Sequence, residues 1–237
     1  MPRMLVVKAG ETFPQVASTL GDFDQLFINA MGLPAEQVDV CEAYAVDELP
    51  DPSLYRGIVV TGSHAMVSDR EPWSERLGEW LVDVVHRELP LFAVCYGHQL
   101  LAQALGGEVG YHPDGPEIGT VEVSLTANGQ RDELFGLMPS RFRAQSTHYQ
   151  TVLKLPRDAQ VLASNSFEPH HSYRVGPCAW ATQFHPEFTP DVMRGYIAAQ
   201  EETLRTKGIE AASLIAEVGE TVDAVNLLRG FARYTLD

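Results

Sequence analysis

The sequence predicts an α/β fold: a mixed, mostly parallel sheet with helices on both faces, a small antiparallel portion and C-terminal helices. Three observations carry this expectation. In the first half, short apolar β-forming runs alternate with stretches whose apolar residues recur every three or four positions, as βαβ units require. From Gly119 onward the pattern changes to short alternating strands separated by turn residues, which suits antiparallel pairing. Beyond Thr189-Pro190, helical spacing returns.

Met4–Val7 is an apolar run bounded by Arg3 and Lys8 and reads as the first strand. Val16, Leu20, Phe23, Phe27 and Met31 stand at helical spacing and predict one helical stretch from Phe13 to Met31. Val38–Tyr44 and Gly57–Val60 read as the next two strands. Glu71-Pro72 opens a helix whose apolar face is Trp73, Leu77, Trp80, Leu81, Val84 and Val85. Leu91–Val94 is a strand. The helix after it stops at Gly106-Gly107.

Thr120–Leu125 alternates in polarity, and Asn128-Gly129 marks a turn. Further strands are expected at Phe142–Gln145, Thr151–Leu155, Val161–Ser164, His171–Val175 and Ala179–Phe184. Met193, Ile197, Leu204 and the run from Ile215 to Leu228 predict two or three terminal helices. One domain spans 1–190, with 191–237 as its helical extension.

Of 237 residues, 45% are hydrophobic and 21% charged, the balance of a globular protein. The net charge of −15, without a basic stripe, argues against nucleic acid and against an anionic membrane surface as partners. No apolar run approaches the roughly 20 residues of a membrane span. Met4–Val7 is too short for a signal peptide, so the cytoplasm is the expected location. Cys41, Cys95 and Cys178 are too few and too scattered for a disulfide framework or a zinc knuckle. Cys41 and Cys178 are expected to be structural.

Cys95 stands apart, because an apolar strand ends at it and a helix begins immediately after. A cysteine on such a turn projects its sulfur out of the sheet at a helix N-terminus, where backbone N–H groups favour a thiolate. The same spacing also suits a packed core thiol. A thiol nucleophile needs a base, and the base needs an orienting group. His185-Pro186-Glu187, at the end of another strand, supplies both. Pro186 restrains the chain, so the carboxylate can hold one imidazole nitrogen while the other faces a sulfur.

Cys95-Tyr96-Gly97-His98-Gln99, followed 90 residues on by Gln183-Phe184-His185-Pro186-Glu187, resembles the class I glutamine amidotransferases. The likeness covers roughly residues 4 to 190. It extends to the glutaminase domain of GMP synthetase, whose elbow also reads Cys-Tyr-Gly, to stand-alone GMP-synthase-like amidotransferases and to plant γ-glutamyl peptidases. The resemblance implies a flavodoxin-like fold and a Cys95–His185–Glu187 triad that needs no cofactor and no metal. The substrate would be glutamine or another γ-glutamyl compound, and any ammonia released would serve a separate synthase. A γ-glutamyl peptide or amide hydrolase with the same triad is the alternative, and a non-catalytic binding protein of the same fold is a third.

The resemblance also assigns an oxyanion hole. Tyr96 would give one backbone N–H, and Ser63, with Gly62 as its neighbour, the other. Thr61-Gly62-Ser63 stands where the family carries Ser-Gly-Gly, and Ala93 stands at the first glycine of the usual Gly-x-Cys-x-Gly elbow. Thr147-His148-Tyr149-Gln150 matches the family's Ser-His-Gly-Asp substrate loop, so Gln150 replaces an acid suited to an α-ammonium. Gln99, His148, Tyr149 and Gln150 are the expected substrate contacts. His98 is read as structural. The adjacent His170 and His171 lack a third ligand at metal spacing. The segment from Glu168 to Arg174 is either part of the substrate entrance or a hairpin.

Overall fold

Strands buried on both faces must be apolar throughout, and Met4–Val7, Gly57–Val60 and Leu91–Val94 are. The computed structural model describes residues 3–236. In chain order, β1 (Met4–Lys8) is followed by α1 (Pro14–Leu20), α2 (Phe23–Met31), β2 (Val38–Glu42) and β3 (Gly57–Val60). Next come α3 (Pro72–His86), β4 (Leu91–Val94), α4 (Tyr96–Ala104), β5 (Glu108–Tyr111) and β6 (Glu117–Leu125). The remaining strands are β7 (Arg141–His148), β8 (Gln150–Lys154), β9 (Gln160–Ser164), β10 (Ser172–Val175) and β11 (Ala179–Thr182). Four helices follow: α5 (Pro190–Ala199), α6 (Glu201–Thr206), α7 (Ala211–Glu217) and α8 (Val222–Leu236).

Nine strands form one sheet in the order β2-β1-β3-β4-β11-β10-β9-β6-β7. Pairing is parallel from β2 to β11 and antiparallel from β11 to β7. β5 and β8 form a separate antiparallel ribbon. The mixed sheet and its covering helices match the expected fold class.

Alternate residues of β1, β3 and β4 point to opposite faces. Met4, Val6, Val59, Phe92 and Val94 meet Phe27 of α2 and Leu228 and Phe231 of α8. Leu5, Val7, Ile58, Val60 and Ala93 meet Leu77 and Leu81 of α3 and Leu100 and Leu101 of α4. A third cluster joins α1, α2 and α5–α7 through Val16, Phe23, Phe188, Met193 and Tyr196.

The helix expected over Phe13–Met31 is broken in two. Gly21 takes φ 98°, which L side chains rarely adopt, and Asp22 then caps α2. The Asp22 carboxylate accepts from the Phe23 and Thr12 N–H groups, and Gln25 returns the bond to the Asp22 N–H. Lys8 Nζ lies 2.7 Å from the same carboxylate. The apolar spacing ran through the break because Leu20, though in register, is exposed. The ribbon strand β5 was not expected: its sequence carries Gly110 and no alternation. Four terminal helices replace the expected two or three.

Candidate active site

At the carboxyl end of β4 the chain turns directly into α4, and Cys95 is the turn. Its backbone sits at φ 51° and ψ −96°, a conformation that costs a non-glycine residue about 1–3 kcal/mol. The surroundings hold it there. The Cys95 N–H donates to the Thr182 carbonyl at the end of β11 over 2.8 Å. Gly97 lets the first turn of α4 close onto β3, since a Cβ there would lie 3.0 Å from the Val60 side chain. The Cys95 sulfur is nearly buried and lies 3.9 Å from the Thr147 carbonyl.

His185 follows β11 and bridges to β7, its N–H donating to the Gln145 carbonyl over 2.8 Å. The ring stacks on Phe188 at 4.2 Å between centroids. Its Nδ1 lies 2.7 Å from Glu187 Oε1, and both side chains are buried. Its Nε2 is buried without a hydrogen-bond partner. Burial alone would lower the imidazole pKa, but the Glu187 carboxylate and the Cys95 sulfur outweigh it and raise the value to about 10.

Gly62 is wedged between these groups. A Cβ on it would lie 3.0 Å from His185 Cε1 and 3.7 Å from Cys95 Cβ. Neither Gly62 nor Ser63 has a positive φ, so serine fits this loop without backbone strain. Ser63 Oγ accepts from the Ala65 N–H over 3.1 Å, and Gly10 leaves room for that hydroxyl. Among the described residues, the Ser63 and Tyr96 N–H groups have no acceptor.

A cavity of about 460 Å³ opens over the sulfur. Cys95, His185, Ser63, Tyr96, Gln99, His148, Tyr149 and Gln150 all line it. Glu187 stands behind His185. Several of these polar groups are committed to the protein. Gln99 Nε2 donates to the Gln150 carbonyl (2.7 Å) and to Gln183 Oε1 (2.9 Å). The Gln150 amide donates to Ser68 Oγ (2.6 Å) and accepts from the Ser68 N–H (3.3 Å). His148 Nδ1 donates to the Gln150 carbonyl over 2.9 Å.

Some residues at the site carried no usable sequence signal. Glu117 on β6 is buried beneath the loop. Its Oε2 lies 3.3 Å from His148 Nε2, 3.1 Å from His171 Nε2 and 2.8 Å from Ser146 Oγ, and Asn165 donates to Oε1 over 2.7 Å. Burial opposes its ionisation, yet the adjacent His148, His171 and Asn165 side chains hold its carboxyl well below the usual range. His64, packed against Phe13 and Tyr196, lines the cavity mouth, as do Gln200, Thr203 and Lys207 of the α5–α6 segment. Burial and His185 lower the His64 pKa.

His98 is fully buried, with Nε2 2.9 Å from the His170 carbonyl, and burial drives its pKa well down. His170 Nδ1 meets the Val152 carbonyl over 2.7 Å. Glu168, His171, Ser172 and Tyr173 are buried as the segment runs into β10, and none of Glu168 to Arg174 lines the cavity. Among the described residues, no group of three or more His, Cys, Asp or Glu side chains is arranged to hold a metal ion. No described helix is long and apolar enough to cross a membrane.

The chain is similar to proteins with this architecture. It superimposes on a glutamine amidotransferase from Thermotoga maritima with TM-score 0.78 at 19% identity, covering 100% of this chain and 99% of that one. A glutamine amidotransferase from Methylobacillus flagellatus gives TM-score 0.74 at 23% identity, covering 98% and 91%. In sequence it is 35% identical over 161 residues to the GMP synthase [glutamine-hydrolyzing] of Aeropyrum pernix. That match takes in 68% of this chain but 29% of the synthase, so the chain spans under a third of that relative. It is 27% identical over 179 residues to γ-glutamyl peptidase 4 of Arabidopsis thaliana, covering 74% of this chain and 71% of the peptidase. Residues 34–202 match the family model described as glutamine amidotransferase class-I. With well over half its length inside that model, the chain belongs to the class I glutamine amidotransferase family.

Proposed function

We propose that the protein hydrolyses the γ-amide of glutamine or of a γ-glutamyl compound through a thioester on Cys95. Cys95 Sγ, its proton already resting on His185 Nε2, attacks the amide carbonyl carbon. The tetrahedral oxyanion accepts from the N–H groups of Ser63 and Tyr96. It collapses as the C–N bond breaks, and His185 returns its proton to the departing nitrogen, giving ammonia or an amine. Water, deprotonated by His185, then attacks the thioester, and glutamate leaves as the C–S bond breaks. Glu187 holds the Nδ1–H tautomer and stabilises the imidazolium. Ammonia released from glutamine would pass to a synthase, a reading supported by the similarity to a GMP synthase.

The observation that carries the proposal is the meeting of a strained Cys95, a Glu187-bound His185 and two unpaired N–H groups in one cavity. The test is to incubate the protein with glutamine, γ-glutamyl peptides and glutathione, measuring ammonia and glutamate with Cys95→Ala alongside. Turnover lost in Cys95→Ala supports the proposal; turnover that persists in it contradicts the mechanism. Activity that appears only on adding cell extract would indicate a synthase partner.

A specific observation favours a second reading, hydrolysis of γ-glutamyl peptides. The residue standing in for an acid, Gln150, is neutral and held on both sides of its amide by Ser68. The similarity to a plant γ-glutamyl peptidase supports it too.

A further inference from the structure

The Ser63 N–H belongs to the peptide that joins Gly62 to Ser63. Gly62 has no side chain to resist rotation of that peptide. A half-turn would exchange the two ends, setting a carbonyl oxygen where the N–H now stands. A carbonyl repels a developing oxyanion instead of donating to it. A donor on such a peptide needs something to hold it.

The Thr61 hydroxyl is placed to do so. Thr61 follows β3, and its N–H donates to the Val7 carbonyl of β1 over 3.1 Å. The residue is fully buried. Thr61 Oγ1 accepts from the Ala9 N–H over 3.0 Å. A hydroxyl carries one hydrogen, and this one goes to the Gly62 carbonyl, 2.9 Å away. In a trans peptide the carbonyl and the N–H point in opposite directions, and this peptide is trans. With the Gly62 carbonyl turned to Thr61, the Ser63 N–H is turned from it. Ser63 lines the cavity with Cys95, whereas Thr61 does not. Ser63 is also held on its far side, where its Oγ accepts from the Ala65 N–H.

We infer that Thr61 is a positioning residue, whose hydroxyl holds the Gly62–Ser63 peptide with its N–H toward the cavity. The inference rests on the thiol-hydrolase reading of Cys95 and names the side chain that keeps its second oxyanion donor in place.

The test uses the whole protein, its Thr61→Val, Thr61→Ser and Thr61→Ala variants, and whichever of glutamine and γ-glutamylalanine the native protein cleaves. Two rates are compared. Glutamate release passes through the oxyanion. Alkylation by iodoacetamide, located by digestion to Cys95, does not: the sulfur bonds to carbon as iodide leaves.

Valine keeps the shape of threonine without the hydroxyl. Thr61→Val should lower kcat roughly 100-fold, the scale of one lost oxyanion donor, with little change in KM. Its Cys95 should be alkylated at the native rate. Thr61→Ser should recover most of the lost kcat. Thr61→Ala should behave as Thr61→Val, and carries the comparison if the valine variant does not fold. A native kcat in the folded variants lacking the hydroxyl overturns the inference while the hydrolase reading stands. So does an equal loss in both rates, or a Thr61→Ser variant as slow as Thr61→Val. Cleavage of neither donor by the native protein overturns the hydrolase reading, and this inference with it.

Discussion

The His185 imidazole meets the Glu187 carboxylate over 2.7 Å, and the contact is closed to water on both sides. A buried carboxylate on Nδ1 fixes the tautomer and leaves Nε2 for proton exchange. Glu187→Gln keeps the shape and removes the charge. We expect kcat to fall by roughly 100-fold or more, by analogy with orienting acids in other triads, measured as glutamate release at saturating donor.

The raised pKa of His185 has a consequence for stability. In the unfolded chain the imidazole titrates near 6.5 and in the fold near 10. Between those values the folded state binds the extra proton, so stability falls as pH rises. The contribution is complete below about pH 6.5 and lost as pH passes about 10. Tm measured across that window should decline more steeply in the native protein than in Glu187→Gln. Parallel declines would contradict this.

Gly62 is demanded by space, not by backbone conformation. Gly62→Ala places a methyl 3.0 Å from His185 Cε1 and must push the ring aside. Displacing a catalytic group by about 1 Å can cost roughly 100-fold in rate. We expect a loss of that order in kcat with little change in urea unfolding. An unchanged kcat would show that the ring tolerates the shift.

Cys95 holds a positive φ that glycine would adopt freely. Cys95→Gly and Cys95→Ala should both be inactive, yet Cys95→Gly should be the more stable by about 1 kcal/mol. Chemical denaturation of the two variants checks this. Equal stabilities would mean the turn carries no strain.

Glu117 collects His148, His171, Ser146 and Asn165 beneath the turn at Tyr149. Glu117→Leu strands those groups and should cost about 3–5 kcal/mol in urea unfolding. The folded carboxyl pKa is depressed, so its contribution is present above about pH 4.5 and lost as pH falls further. The acid limb of the native stability profile should therefore be steeper than that of the variant.

The sheet and the proximity of Cys95 and His185 were legible because both follow local rules. Leu91–Val94 running into Cys95, and Ala179–Thr182 running toward His185, are apolar strands ending at polar residues, and parallel pairing brings the two ends together. The break at Gly21 was hidden because apolar spacing continued across it, while the decisive bonds run from Asp22 to Thr12 and Lys8. Glu117 and Lys207 could not be read at all. One joins the cluster under Tyr149 only when β6 pairs with β7, and the other reaches the cavity only when the turn after α6 brings its ammonium over the Tyr149 ring.

Mass spectrometry of the acid-quenched protein, mixed with glutamine or γ-glutamylalanine, tests the central claim most directly. The account predicts a mass increase of one glutamyl group, located by digestion to the peptide bearing Cys95 and absent from Cys95→Ala. Glutamate release with no adduct on Cys95, undiminished in Cys95→Ala, would contradict it.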